Sequence, residues 1–211
     1  NAENIHWHGV AENILTAIGI MQSDHGSGIE HGKNAVQFAT DSGSHSLRRA
    51  ALGNLGNLYL LTGQFESARE YLEAASTIGP TTGALSNGAL ESLALLALAE
   101  GRIDDAEALL AEMESGVKAQ ADWMIYANRH SRLTFVEVMV RKKKISDALT
   151  EVGRVTELAD RSGDRQLQMN ALLAKAELLI ASDRSDEALT ILHEAVPRLP
   201  EQSPRSPSAF V

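Results

Sequence analysis

The chain has no cysteine, five prolines and only two Trp, three Tyr and four Phe among its 211 residues. Without thiols it forms no disulfide and offers no thiolate nucleophile or soft metal ligand. That lack fits a reducing compartment, and the cytoplasm is the expected location. No apolar run approaches the roughly 18 residues that would cross a bilayer. Nor does a basic start lead into an apolar stretch, as in a secretory signal. The net charge of -9 works against duplex nucleic acid or an anionic membrane as the main partner, since both are met by a basic face.

What the chain holds in quantity is helix former. It has 30 alanines and 27 leucines, and no proline lies between Pro80 and Pro197. Alanine and leucine cost a helix least, whereas proline breaks it, so the composition predicts an all-α protein.

The arrangement of these residues is periodic. From Arg49 the chain reads Leu52-x2-Leu55-Gly56-x2-Tyr59, then Gly63-x-Phe65-x2-Ala68-x3-Leu72-x2-Ala75, then Pro80. Gly56 and Ala68 are small where two antiparallel helices would cross. Leu52, Leu55, Tyr59 and Leu72 recur at helical spacing, Gly63 permits a tight turn and Pro80 stops the second helix. This pattern resembles the tetratricopeptide repeat, a helix–turn–helix unit of about 34 residues. Weaker copies follow: Leu90-x2-Leu93-Ala94 with Gly101 and Ala106; Phe135-Val136 with Ile145 and Ala148; Leu172 with Ala176, Leu179 and Ala188. Ala68, Ala106, Ala148 and Ala188 lie 38, 42 and 40 residues apart, and 40 residues before Ala68 stands Gly28.

Five helix pairs are therefore expected, at about 9–48, 49–86, 87–128, 129–168 and 169–200, within an array over 3–200. The first is expected to be degenerate, because Gly26, Gly28 and Gly32 weaken its second helix by about 1 kcal/mol each; it reads as a capping unit or one that packs on a further neighbour. Residues 201–211, rich in Ser and Pro, read as a flexible linker towards another part of the protein. The period near 40 resembles the long repeats of bacterial transcriptional-regulator sensor arrays and of kinesin light chain. The fold this implies is a right-handed α-solenoid with a concave inner face.

In tetratricopeptide proteins the first helix of each pair lines the groove. By that resemblance the candidate partner-binding residues are Asn57, Leu60 and Leu61; Glu91, Leu95 and Leu98; Leu133, Glu137 and Arg141; and Leu173, Glu177 and Ile180. Family members that grip a terminal carboxylate use a lysine and an asparagine one turn apart. Here Asn57 matches the asparagine, but Gly53 stands in the lysine's place, and Glu91 and Leu95 occupy the next basic positions. The carboxylate clamp is broken. What is left is an apolar groove with spaced acids, suited to a basic amphipathic segment; the plainer alternative is that these glutamates are solvated helix-face residues.

Other features point to structure. His6, His8, His25 and His31 lack the count and spacing of a zinc site, so no metal or other cofactor is expected; a bland surface, or Trp7 packed against the next helix, is expected there instead. The run Arg141-Lys142-Lys143-Lys144 sits at a helix end, where cations suit the dipole. Asp104-Asp105 and Asp186-Glu187 open second helices as caps, and Trp123 and Tyr126 read as core. No nucleophile elbow or phosphate loop is present, so an enzyme is not expected. The expected function is a protein–protein interaction scaffold or sensor module of a larger protein. The alternatives are a signal-peptide or small-molecule receptor domain of a bacterial regulator, or an architectural array that self-associates through its ends or groove.

Overall fold

The computed structural model describes residues 2–78, 84–117 and 126–195. Among these residues the chain is a succession of α-helices: α1 (Ala2–Gln22), α2 (His25–Asp41), α3 (His45–Leu61), α4 (Phe65–Ser76), α5 (Ala84–Ala99), α6 (Ile103–Ser115), α7 (Tyr126–Arg141), α8 (Ile145–Ser162), α9 (Arg165–Ile180) and α10 (Ser185–Ala195). They form two compact units, one ending at Glu100 and holding α1–α5, the other starting at Gly101 and holding α6–α10. The expected linker over 201–211, Pro80 and Trp123 lie outside the described residues, as does the side chain of Tyr126.

The turns show the repeat more cleanly than the helices do. A residue with left-handed backbone sits between the first and second helix of every pair: Ser23, Gly63, Gly101, Lys143 and Asp183. These five are spaced 40, 38, 42 and 40 residues apart, and each lies five residues before the small position occupied by Gly28, Ala68, Ala106, Ala148 or Ala188. At three of these turns the backbone closes in the same way. Gln64 N donates to Tyr59 O at 2.8 Å, Lys144 N to Met139 O at 2.8 Å and Arg184 N to Leu179 O at 2.9 Å. This is the Schellman pattern, which satisfies carbonyls left over at a helix end. Glycine fits it without strain, whereas Lys143 and Asp183 hold φ near +59° at a cost of about 1 kcal/mol each.

Return turns to the next pair use the same device followed by a cap. Gly43 and Gly163 take positive φ, and the next residue opens the following helix: the Ser44 hydroxyl accepts from Leu47 N, and the Asp164 carboxylate from Leu167 N. The caps start α3 and α9 about four residues before the unit boundaries expected at 49 and 169, because the repeat signature begins a turn inside the helix. Asp104, Asp105, Asp186 and Glu187 do lie in first turns, and three of them pair with cations. Asp105 pairs with Arg102, Asp104 with Lys142 at 2.8 Å, and Glu187 with Arg184.

Within each pair the helices approach closely at the small positions. Ala68, Ala106 and Ala148 are fully buried beside Leu55, Leu72, Leu110, Met113, Val152 and Val155, each worth roughly 1.5–3 kcal/mol on leaving water. At Gly56 a β-carbon would stand 2.7 Å from Leu72 Cγ, so only glycine lets α3 and α4 meet there. The first pair goes further. A β-carbon on Gly19 would lie 2.7 Å from the Gly28 α-carbon, and one on Gly32 would lie 2.9 Å from Leu55 Cδ1. Gly28 and Gly32 are thus contact surfaces of a tight crossing, not defects of a degenerate unit. Gly19→Ala is expected to destabilise the chain by about 2 kcal/mol through forced separation of α1 and α2. Gly153, in the middle of α8 with nothing near its missing β-carbon, is the control: Gly153→Ala should stabilise by about 0.5–1 kcal/mol. Urea unfolding of both variants checks the pair, and a destabilising Gly153→Ala would contradict the packing.

The second unit is tied by a charged cluster around the cap of α9. Asp164 accepts from Arg129 Nε at 2.8 Å, from His130 Nε2 at 2.8 Å and from Leu167 N at 3.0 Å. Burial pushes its carboxyl up, but these three donors outweigh burial and hold its pKa at about 2. Burial pushes His130 below the ordinary histidine range, against the pull of Asp164. Both groups take up a proton less readily when folded, so both make the fold acid-sensitive. Asp164's share is complete above about pH 4 and is lost as pH falls towards about 2; that of His130 fades as pH drops below about 6.5. Asp164→Ala should cost on the order of 1–2 kcal/mol at pH 7 and much less near pH 2. Unfolding midpoints across pH measure this, and a cost equal at both ends would show that the carboxylate's charge plays no part.

Candidate functional site

The first helices of the pairs present the residues expected to meet a partner, and the two units are best taken separately. In the first unit α3 and α5 are neighbours. Asn57 and Leu60 on α3 are half-buried, Leu60 against the cluster of Leu55, Tyr59, Ala68 and Leu96, while Leu61 is exposed. A β-carbon at Gly53 would meet nothing within 4 Å, so the position that would hold a clamp lysine faces open space. On α5, Glu91 and Leu95 are half-buried. Leu98 is 4 % exposed and belongs to the core, which corrects its expected place on the open face. An alternating run of leucines leaves packing and lining positions indistinguishable in Leu93, Leu95, Leu96 and Leu98.

In the second unit α7 and α9 stand side by side. Leu133 is half-buried against Val155, Ala159, Leu167 and Ala171, so it is mainly a packing residue. One turn on, Glu137 pairs with Arg141 at 2.6 Å, with the arginine the more exposed of the two. On α9, Leu173 is half-buried while Glu177 and Ile180 are exposed. Glu137 and Glu177 are brought near enough to interact. Partial burial, and then the charge of Glu137, push the Glu177 carboxyl above the ordinary glutamate range. Two acids on adjacent helices, flanked by Leu173 and Ile180, make a surface that is apolar with a negative centre.

Other expected placements fare differently. Of the two readings of Trp7 the surface one fits: the side chain is 61 % exposed, with its ring edge-on to His6 at 5.6 Å. His31 meets Glu12 at 2.7 Å and His8 lies 5.8 Å from the Phe38 ring. The basic run is built into the structure. Arg141 holds Glu137, Lys142 bridges to Asp104 and Glu107, Lys143 is the left-handed turn residue, and Lys144 precedes α8.

Sequence reasoning missed the polar centre of α7 and α8. Arg132 pairs with Glu151 at 2.7 Å and Glu114 at 3.1 Å while lying over the Phe135 ring. Glu151 is almost wholly buried, and a charge there carries no signal in helical periodicity. The Asp164 cap, by contrast, was readable from Gly163-Asp164 ahead of an apolar run.

With this geometry in hand, known proteins can be compared. Family models for the tetratricopeptide repeat match residues 50–82, and again 88–112 and 169–194. A comparison with curated protein sequences gives no match. Among solved structures, the chain is similar to a kinesin light chain-like protein of Podosopora anserina with nearly identical TPR-like repeats. Identity is 15%, the TM-score is 0.60, and 89% of this chain and 92% of that one are covered. It is also similar to BtubC (BKLC) from P. vanneervenii at 11% identity and a TM-score of 0.63, with 100% and 98% of the two chains covered. At these identities the likeness is one of fold. The matched segments are tetratricopeptide repeats, and they carry the same turn-and-crossing register as the rest of the described helices.

Proposed function

We propose that this chain is a non-catalytic interaction module that takes a protein segment on the first-helix face of its pairs, and that the segment is basic and amphipathic. The observation that carries this is the pairing of Glu137 with Glu177 beside Leu173 and Ile180. Two carboxylates held close on neighbouring helices repel each other, and the raised Glu177 carboxyl reports that repulsion together with partial burial. A lysine or arginine placed between them would relieve it, while apolar contact to Leu173 and Ile180 supplies the non-directional part of binding. The broken clamp argues the same way: Gly53 and Glu91 stand where basic groups would grip a terminal carboxylate.

Because the acid pair is unfavourable in the free protein, function and stability separate here. Glu177→Gln should slightly stabilise the unliganded chain at neutral pH, an advantage that fades as the medium is acidified and Glu177 itself becomes neutral. The same variant should weaken binding of a lysine-rich amphipathic peptide. With Glu137→Lys and Glu177→Lys together, preference should invert towards an acidic peptide of the same apolar pattern. Fluorescence anisotropy with the two labelled peptides reads this out: the native chain should favour the basic one at least tenfold. Equal binding of both peptides, or a preference that survives the double reversal, would reject the site.

A further inference from the structure

The repeat register lets the same four places be compared in the two units. In the first, Ile29 of α2, Leu55 and Tyr59 of α3 and Tyr71 of α4 belong to one cluster with Ala68 and Leu96. Leu55 is fully buried, and the Tyr59 and Tyr71 rings stack at 5.4 Å. In the second unit the counterparts, 120 residues on, are Leu149 of α8, Lys175 and Leu179 of α9, and Ile191 of α10. Both tyrosines have become aliphatic, and the buried leucine has become a lysine. Here the four places line an open pocket of about 450 Å³, within the size range of ligand sites.

The lysine is foreign to its position. The earlier pairs hold Leu15, Leu55, Leu93 and Phe135 there, so α9 alone breaks the apolar stripe with a charge. Lys175 is half-buried. Leu149 and Ile191 pack on Leu179, which is 2 % exposed, so the pocket has an apolar wall. The rest of the lining is charged. Arg184 donates through Nε and Nη2 to the two oxygens of Glu187, at 2.6 and 2.8 Å. That bond, with a lesser contribution from the charge of Lys175, holds the Glu187 carboxyl below the ordinary glutamate range. Arg184 and Glu187 thus satisfy each other, and among the described residues no carboxylate pairs with Lys175.

We propose that this pocket binds an aromatic carboxylate, its rings in the space that two tyrosine rings fill in the first unit and its carboxylate on Lys175. The apolar wall supplies contact to the rings. The one cation left over sets the sign of the ligand, and partial burial strengthens its attraction for an anion over that of a lysine in open water. A free aromatic acid and the aromatic C-terminal residue of a peptide offer the same groups. The pocket is separate from the acid face proposed above. Lys175 and Glu177 are two residues apart, about 200° round α9, so each site can be altered without the other.

Isothermal titration calorimetry on the full chain tests this with 2-naphthylacetate, a two-ring acid, and its neutral amide, 2-naphthylacetamide. The native chain should bind the acid with a Kd at or below about 1 mM and the amide at least tenfold more weakly. Lys175→Met keeps the stem and removes the charge, and should bring the acid down to the level of the amide with helicity unchanged. Leu179→Tyr with Ile191→Tyr rebuilds the tyrosine pair of the first unit and should abolish binding of both. N-acetylphenylalanine and its extended form, acetyl-Gly-Gly-Phe, separate the two sources: extension should tighten binding if the pocket takes a peptide's end and weaken it if it takes a free acid. A native chain that binds neither naphthyl compound, or binds both equally, overturns the proposal. So does binding of the acid that Lys175→Met leaves unchanged, which would make the lysine only a stem laid over apolar surface.

Discussion

In every pair whose crossing is described, the helices come together until one position on the second helix has room for a methyl group or for nothing at all. Ala68, Ala106, Ala148 and Gly28 mark that position, and the left-handed residue five places earlier brings the chain round to reach it. The two features are one constraint. A turn of fixed geometry sets where the second helix starts, and the small residue lets it lie against the first at the angle the turn imposes. Packing then follows. Leu55 and Leu72, or Val152 and Val155, are buried because the crossing has already placed them beside one another. Stability here is a sum of near-neighbour seams with no single core, so each repeat can vary elsewhere provided the crossing is kept.

That constraint also explains what could be read from the residues alone. The small positions announce themselves, since alanine or glycine at a period near 40 within leucine-rich helices has few other causes. Turns held by Gly63 and Gly101 were legible for the same reason, whereas Ser23, Lys143 and Asp183 hold the same left-handed backbone without the residue type that would signal it. Gly28 and Gly32 of α2 were misread because propensity counts their cost to an isolated helix, while the structure uses them for contact at Gly19 and Leu55; Gly26, with nothing near its missing β-carbon, keeps that cost. Leu98 was expected on the open face and is covered, while Trp7, left between surface and packing, is mostly open. Which face of a helix is covered depends on what stands beside it, and neither residue's own sequence neighbourhood carries that information. Glu151 is the extreme case, a buried acid whose partner Arg132 lies on another helix.

Function draws on what the crossing leaves unused. The first helices are held by their packing stripes, and the positions between are free to carry Gly53, Glu137 or Glu177 at little cost to the fold. Where such a position does cost something, it marks a place where another pressure acts. The acid pair of the second unit is the clearest instance, since two like charges on adjacent helices bring no stability and, among the described residues, no cation meets Glu177 as Arg141 meets Glu137.

The same reasoning runs to the ends of the array. A repeat whose neighbours supply half of every seam is stable in the middle and incomplete at the edge, and the edge must be handled by polar residues or by another partner. On α1 the outward face is Trp7, Ile14 and Ile18, and on α10 it includes Leu189. These side chains are only partly covered within the described residues, Ile18 being 39 % exposed and Leu189 54 %. The two places differ in what the repeat asks of them: the counterparts of Ile18 are Leu58, Leu96, Val138 and Leu178, all buried and apolar, whereas those of Leu189 are Ile29, Arg69, Glu107 and Leu149, so the second-helix place accepts charge as readily as an apolar side chain.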